Sequence, residues 1–278
     1  MKVVVDREFG KCLATEDDNA MYSLDRRIIF RVNNVYNKFT IPDSVEILEE
    51  AAFSCCYSLQ SVIIPDSVKS IGDYAFSDCS SLKSVIIPDS VKSIGEGAFA
   101  DCSSLKSVVI PDSVKSIGNA AFSGCVNLYI KVNEKNKLFS SFDGILFDKR
   151  SKELLCGYSI ASNICIIPAW VESIGDYAFS DCLSLESVII PDSVKSIGGG
   201  AFYNCSSLKS VVIPDSVKSI GGGAFYNCSS LKSVVIPDSV KSIGGVAFWG
   251  CSLSIGDISK AIYNQFPNAF QLDFRTSK

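Results

Sequence analysis

Apolar positions recur along this chain at a spacing that fits neither a single helix nor a single strand. In the segment 82–104, LKSVIIPDSVKSIGEGAFADCSS, they follow Pro88 at Val91, Ile94, Ala98, Phe99 and Cys102. The next copy continues with Leu105, Val108 and Ile110. The order repeats every 23 residues. Prolines mark it at 42, 65, 88 and 111, and again at 168, 191, 214 and 237, with a longer gap between the two sets. A fixed period of this size signals a solenoid, in which each repeat stacks on its neighbours because it cannot bury its apolar face alone.

Each period predicts its own elements. The two-residue steps at Val85 and Ile87 read as a short strand with alternate residues inward. Proline ends that strand, having no N–H for the ladder, and Pro-Asp-Ser is turn chemistry. Val91 and Ile94 line a second inward segment, and Gly95 reads as a bend. GEGAFADCSS reads as a helical turn that drops Phe99 and Cys102 into the core. Stacking then aligns Phe53, Phe76, Phe99 and Phe122, and likewise Phe179, Phe202, Phe225 and Phe248, in ladders.

The unit LxxVxIPxSVxxIGxxAFxxCxx, carried in one copy by Leu82, Val85, Ile87, Pro88, Val91, Ile94, Gly95, Ala98, Phe99 and Cys102, resembles the leucine-rich repeat of the BspA-like (Treponema pallidum type) class. Eight copies of the proline-to-cysteine core match. The resemblance implies a superhelix with a parallel β-sheet on one face, short helical turns on the other and terminal caps. It also implies a scaffold for protein or surface binding, often a cell-surface adhesin, and no catalytic residue.

The expected organisation is one continuous solenoid: an irregular N-terminal cap over 1–41, repeats over 42–127, a variant repeat with a β-hairpin over 128–167, repeats over 168–252, and a partly helical C-terminal cap over 253–278. In the cap at the start, VVV at 3–5 and residues 28–32 read as strands, and the acidic run 16–18 as a loop. The first coil departs from the pattern, with Glu49 in place of the glycine and the vicinal pair Cys55-Cys56. In the variant repeat, YIKV (129–132), GILF (144–147) and ELLCGY (153–158) read as strands, with DKRSK as a hairpin turn. Phe139, Asp143, Gly144, Leu146 and Phe147 resemble an element that recurs between repeats of the family, and NAMYSLDRRIIF at 19–30 is a weaker echo of it. Near the end, Asp257 reads as an N-cap, Ile258, Ile262 and Phe266 as one helical face, and Pro267 as the stop.

Composition narrows the chemistry. The chain has 278 residues, 47% of them hydrophobic, and a net charge of −4, which argues against a nucleic-acid partner. It has no histidine, the commonest general base and metal ligand. No CxxC pair occurs, so no zinc ribbon is expected, and neither a metal nor a cofactor is expected. Eight of the twelve cysteines occupy one repeat position and read as reduced packing residues. The oxidation state of Cys156/Cys165 and Cys55/Cys56 stays open. The start, MKVVVDREFG, lacks the apolar run of a signal peptide, and no segment is apolar enough for membrane insertion. The composition thus points to the cytoplasm, whereas the family resemblance points to the cell surface or secretion; both stand.

Three surfaces are candidates for function. On the strand face Ile63, Ile86, Val109, Ile189, Val212 and Val235 point outward, flanked by Lys83, Lys106, Lys209 and Lys232. This stripe is either a partner site or a scaffold feature of β-propensity. At the turns an aspartate column (Asp66, Asp89, Asp112, Asp192, Asp215, Asp238) runs beside a lysine column three residues on, read as turn capping and solubility. On the helical side Tyr203, Tyr226 and Trp249 share one repeat position, either as a binding hot spot or as cover for the core. Asn204-Cys-Ser and Asn227-Cys-Ser fit N-x-[ST] formally, and repeat drift explains them. The leading expectation is a non-enzymatic scaffold that binds a protein or surface partner. The alternative is a structural protein that self-associates through its sheet face or coil ends.

Overall fold

The computed structural model describes residues 3–6, 10–14, 20–33, 37–126, 128–157, 163–254, 256 and 258–270. The run 16–18, Tyr158 and Asp257 lie outside them. The chain divides into two compact units, Met1–Gly144 and Ile145–Lys278, and each is built as a stack of solenoid coils.

Every coil places two short strands in two separate parallel ladders. In the first unit one ladder joins Asn37–Thr40, Leu59–Ile63 and Ser84–Val85, and Ser107–Ile110 pairs with Tyr129–Val132. In the second it joins Ile164–Ile166, Ser187–Ile189, Ser210–Val212 and Ser233–Val235. Alternation holds: Val85 and Ile87 are buried, Ile86 is exposed. The second inward segment forms its own ladder of Ser-Ile dipeptides, Ser70–Ile71 to Ser93–Ile94 to Ser116–Ile117 in the first unit, and four such pairs in the second.

The glycine after each Ser-Ile is required for a reason other than a bend. Gly95 lies outside the positive-φ region. A Cβ on it would lie 2.6 Å from the carbonyl carbon of Gly72, and one on Gly72 would lie 2.7 Å from the Leu48 oxygen. The backbone of the preceding coil occupies the space a side chain would need.

The Ala-Phe side of each coil is a run of tight turns with no regular helix. Phe76 N–H donates to the Ala98 carbonyl at 2.7 Å, Tyr74 to Glu96 at 2.7 Å and Asp78 to Ala100 at 2.8 Å, so this side too is laced from coil to coil. Two residues per coil take left-handed φ, for example Tyr74 (54°) and Asp78 (60°). The second of these sites is usually Asp, Asn or Gly, the types that tolerate it. Behind the turns the phenylalanines stack as expected. Ring centroids in the second unit are 5.0 Å apart from Phe179 to Phe202 and from Phe202 to Phe225, with planes within 7°. The spacing is the strand spacing of a sheet, which is why identical residues can fill the core without voids.

Both units begin alike. In the first, strands at 3–6, 10–14, 20–23 and 28–32 form an antiparallel meander whose last strand pairs in parallel with Ile47–Leu48. In the second, Ile145–Asp148 and Glu153–Cys156 form an antiparallel hairpin whose second strand pairs in parallel with Ser173–Ile174. A glutamate locks each junction. Glu46 pairs with Arg27 and Lys69, and Glu172 pairs with Lys152 and Lys195. The echo between 19–30 and the hairpin is therefore structural.

In the first unit the variant repeat adds a strand at Phe139–Phe142 that the sequence pattern did not indicate. Buried Asn136 anchors this segment. Its amide donates to the carbonyls of Pro111 and Val114, and its oxygen accepts from the N–H of Leu138 and Phe139.

The C-terminal helix α1 spans Lys260–Gln265 and starts later than expected. Ser259 is its N-cap, its side chain accepting from Ile262 N–H. Ile258 and Ile262 are buried, and Phe266 is half-buried at the end of the helix. Pro267 then opens a 3-10 turn, Pro267–Ala269. That turn delivers Ala269-Phe270 as one more rung: Phe248 N–H donates to the Ala269 carbonyl, and Phe270 stacks on Phe248 at 5.2 Å.

Candidate functional site

The strand face of each unit presents its aliphatic row to solvent. Ile63, Ile86 and Val109 are exposed in the first unit, and Ile189, Val212 and Val235 in the second. Register puts Val212 beside Val235, and Ile166 beside Ile189, so Ile166 extends the second row. Ile164 is also exposed. Both isoleucines fall in a copy that lacks the repeat's serine, so the serine-then-aliphatic signature passed over them.

At the turns the two charged columns do not pair with each other. The lysine column begins with a glutamate in each unit, and Glu46 and Glu172 take the ion pairs with Lys69 and Lys195. Lys218 and Lys241 instead donate to the backbone carbonyls of Asp215 and Asp238. Hydrogen bonds from Arg27 and Lys69 pull the Glu46 carboxyl down to about 2, and those from Lys152 and Lys195 do the same for Glu172. Among the described residues no group of three or more cysteines or carboxylates is placed to hold a metal ion.

The cysteines do more than fill space. Cys102 Sγ donates to the Phe76 carbonyl at 3.1 Å, and Cys125, Cys205 and Cys228 repeat the bond to Phe99, Phe179 and Phe202. Each thiol thus satisfies a carbonyl of the coil before it, in addition to the N–H that carbonyl already accepts within its own turn. Hydrogen bonding to the Cys102 thiol, together with burial, pushes the Cys79 thiol well above its usual value, and burial does the same for Cys182 and Cys205. These are poor nucleophiles. All cysteines with described side chains are free, Cys156 and Cys165 are buried, and Cys55 is exposed.

On the turn side Tyr203 and Tyr226 stack at 5.2 Å with planes 4° apart, and Tyr203 is 39% exposed. Trp249 occupies the equivalent place in the next coil, is exposed, and its carbonyl accepts from Asn227 N–H. A side-chain ladder runs beside them: Asn204 donates to Asp181 at 2.6 Å and Asn227 to Asn204 at 2.8 Å. The coils here carry Gly199, Gly222 and Gly245 where the first unit carries Asp73, Glu96 and Asn119. The result is an aromatic column whose rings are already ordered, next to a stretch of nearly bare backbone.

Two further exposed tyrosines, Tyr74 and Tyr177, were not singled out from the pattern. Each ring lies over a glycine of the next coil, Gly97 or Gly200, where a Cβ would meet it at about 2.5 Å. The signal was present: glycine follows tyrosine 23 residues later in both places.

Coils of 23 residues, two parallel ladders and a stacked phenylalanine core define a leucine-rich-repeat solenoid. The chain belongs to the BspA-type leucine-rich-repeat family, whose repeat region matches residues 27–147 and 156–273. Among solved structures, a leucine-rich repeat protein from Eubacterium ventriosum ATCC 27560 is similar at 20% identity and a TM-score of 0.59, over 84% of this chain and 93% of that one. A leucine rich cell surface protein from Faecalibacterium prausnitzii A2-165 is similar at 26% identity and a TM-score of 0.51, over 95% and 97%. The pneumococcal vaccine antigen PcpA is similar at 19% identity and a TM-score of 0.60, over 98% and 92%. No curated protein matches the sequence.

Proposed function

We propose that this chain is a non-enzymatic scaffold at the cell surface that binds a protein or surface partner through the column Tyr203, Tyr226 and Trp249. The observation that carries the reading is the pre-stacked, half-exposed tyrosine pair. Tyrosine and tryptophan offer large amphipathic contact area, and rings already held in place lose little entropy on binding. The strands below are nearly identical from coil to coil, so selectivity has to come from positions that differ between coils, and these aromatics are among them. The absence of histidine and the raised thiols favour binding over catalysis. The similarity to a leucine rich cell surface protein supports the location.

Beads carrying the wild-type chain, incubated with intact bacterial and eukaryotic cells and counted by flow cytometry, test the reading. Wild-type beads should bind one cell class above bare beads, and the triple variant Y203A/Y226A/W249A should lose about tenfold or more. Wild-type binding no better than bare beads overturns the surface-binding role. Undiminished binding by the folded triple variant overturns the aromatic column.

A further inference from the structure

In the first unit the exposed row Ile63, Ile86 and Val109 is bounded by opposite charges. Ile86 is 81% exposed. Strand register aligns Ser61 with Ser84 and Val62 with Val85, so equivalent side chains sit side by side on adjacent strands. Exposed Lys83 and Lys106 flank the row where the strands begin, and exposed Asp66, Asp89 and Asp112 flank it past the prolines where they end. Among the described residues none of these five side chains forms an ion pair.

An apolar row with a basic edge and an acidic edge complements itself under one rotation. A half-turn about an axis parallel to the coil stack lays a second copy face down with its stacking direction kept. Its lysines then lie over the first copy's aspartates, and the contact occurs twice. A half-turn about the strand direction instead puts lysine over lysine and aspartate over aspartate, which is repulsive. We propose that this face is the interface of a homodimer, with two copies of the chain packed sheet to sheet and their coil stacks parallel. Sheets pack roughly 10 Å apart, close enough for interdigitated aliphatics and for lysine side chains to reach across.

The patch is small. Three strands about 4.8 Å apart and about seven residues long cover on the order of 300 Å² per copy. A stable interface uses about 800 Å² per partner, so the association is weak. The second unit carries the same aliphatic row but has Glu186 among its flanking lysines, paired with Lys209, so its basic edge is interrupted.

Dimerisation requires no external ligand, so its failure would leave the aromatic reading intact. The test is sedimentation equilibrium of the full chain up to about 1 mM, at low and high salt. A concentration-dependent dimer that weakens with salt is expected, and Ile86→Glu should abolish it. K83E/K106E makes both edges acidic, and D89K/D112K makes both basic. Each should be monomeric alone, with unchanged circular dichroism, and an equimolar mixture of the two should dimerise. A wild-type monomer at every concentration overturns the proposal and leaves the face to another occupant or to none. A dimer indifferent to Ile86→Glu overturns the interface, and charge-reversed variants that dimerise like wild type overturn the parallel arrangement.

Discussion

Val246 sits at φ 55°, a left-handed conformation that a β-branched residue avoids. The equivalent site holds Gly200 and Gly223 in the two preceding coils, at 57° and 61°. Coil stacking imposes the conformation, and Val246 bears its strain. Relief is worth about 1–2 kcal/mol, partly offset by glycine's greater freedom in the unfolded chain. Val246→Gly should therefore stabilise the protein by about 1 kcal/mol, read as a higher denaturation midpoint at unchanged slope. The thiols give a second expectation. Of the cysteines with described side chains, only Cys55 should react rapidly with a thiol reagent in the native state, and the ladder only on unfolding. Rapid native labelling of Cys102 would contradict its burial. The cysteine ladder was legible as small core residues, but the bond from each thiol to the previous phenylalanine carbonyl was not. It depends on which way the turn's carbonyl faces, and spacing carries no information about that. Aspartate, asparagine and glycine at the second left-handed site advertise it, whereas tyrosine, alanine and valine at the first conceal it.

Among the elements, the junctions and the caps decide where a stack begins and ends. Each hairpin meets its first coil through one glutamate bridged by two cations, Glu46 in one unit and Glu172 in the other. Their carboxyls are held at about 2, against an ordinary value of 4.5. A depressed folded value means that the stabilisation is fully present above about 4.5 and is lost as pH falls towards 2. E46Q/E172Q should thus lower the melting temperature at pH 7 and flatten its fall between pH 4.5 and 2, as seen in thermal melts across that range. At the other end, Phe270 completes the phenylalanine stack over Phe248. Phe270→Ala should cost about 3 kcal/mol or more in denaturant titration, since it uncovers a buried ring. The helix, its stop at Pro267 and the buried Ile258 and Ile262 could be read from the sequence. Its start at Ser259 could not be told from Asp257, because two capping residues stand two positions apart. That Ala269-Phe270 repeats the Ala-Phe rung is visible only once the turn folds it back, since its surroundings share nothing else with the 23-residue pattern.

At the scale of the molecule the period itself is the fold determinant. Each coil touches its neighbours through the same ladders of phenylalanine, cysteine and Ser-Ile, so the stack should tolerate loss of a whole period and no other length of similar size. Deletion of 208–230 joins Ser207 to Leu231, the same Ser-Leu junction that ends every neighbouring coil. Phe202 then faces Phe248, Tyr203 faces Trp249, and the Cys251 thiol meets the Phe202 carbonyl in place of Phe225's. The shortened protein should fold cooperatively, with a denaturant slope reduced in proportion to the surface lost and a lower midpoint. Deletion of 210–230, two residues shorter, keeps most of the same apolar content but brings Lys209 up to Leu231, out of phase by two. One strand then cannot reach its rung without pulling the phenylalanine or the proline from its column. That variant should lose cooperativity or precipitate. If both deletions unfolded alike, stability would reside in something other than the coil-to-coil ladders. If both folded alike, the register imposed by the glycine and phenylalanine columns would be looser than the 2.6 Å approach at Gly95 allows.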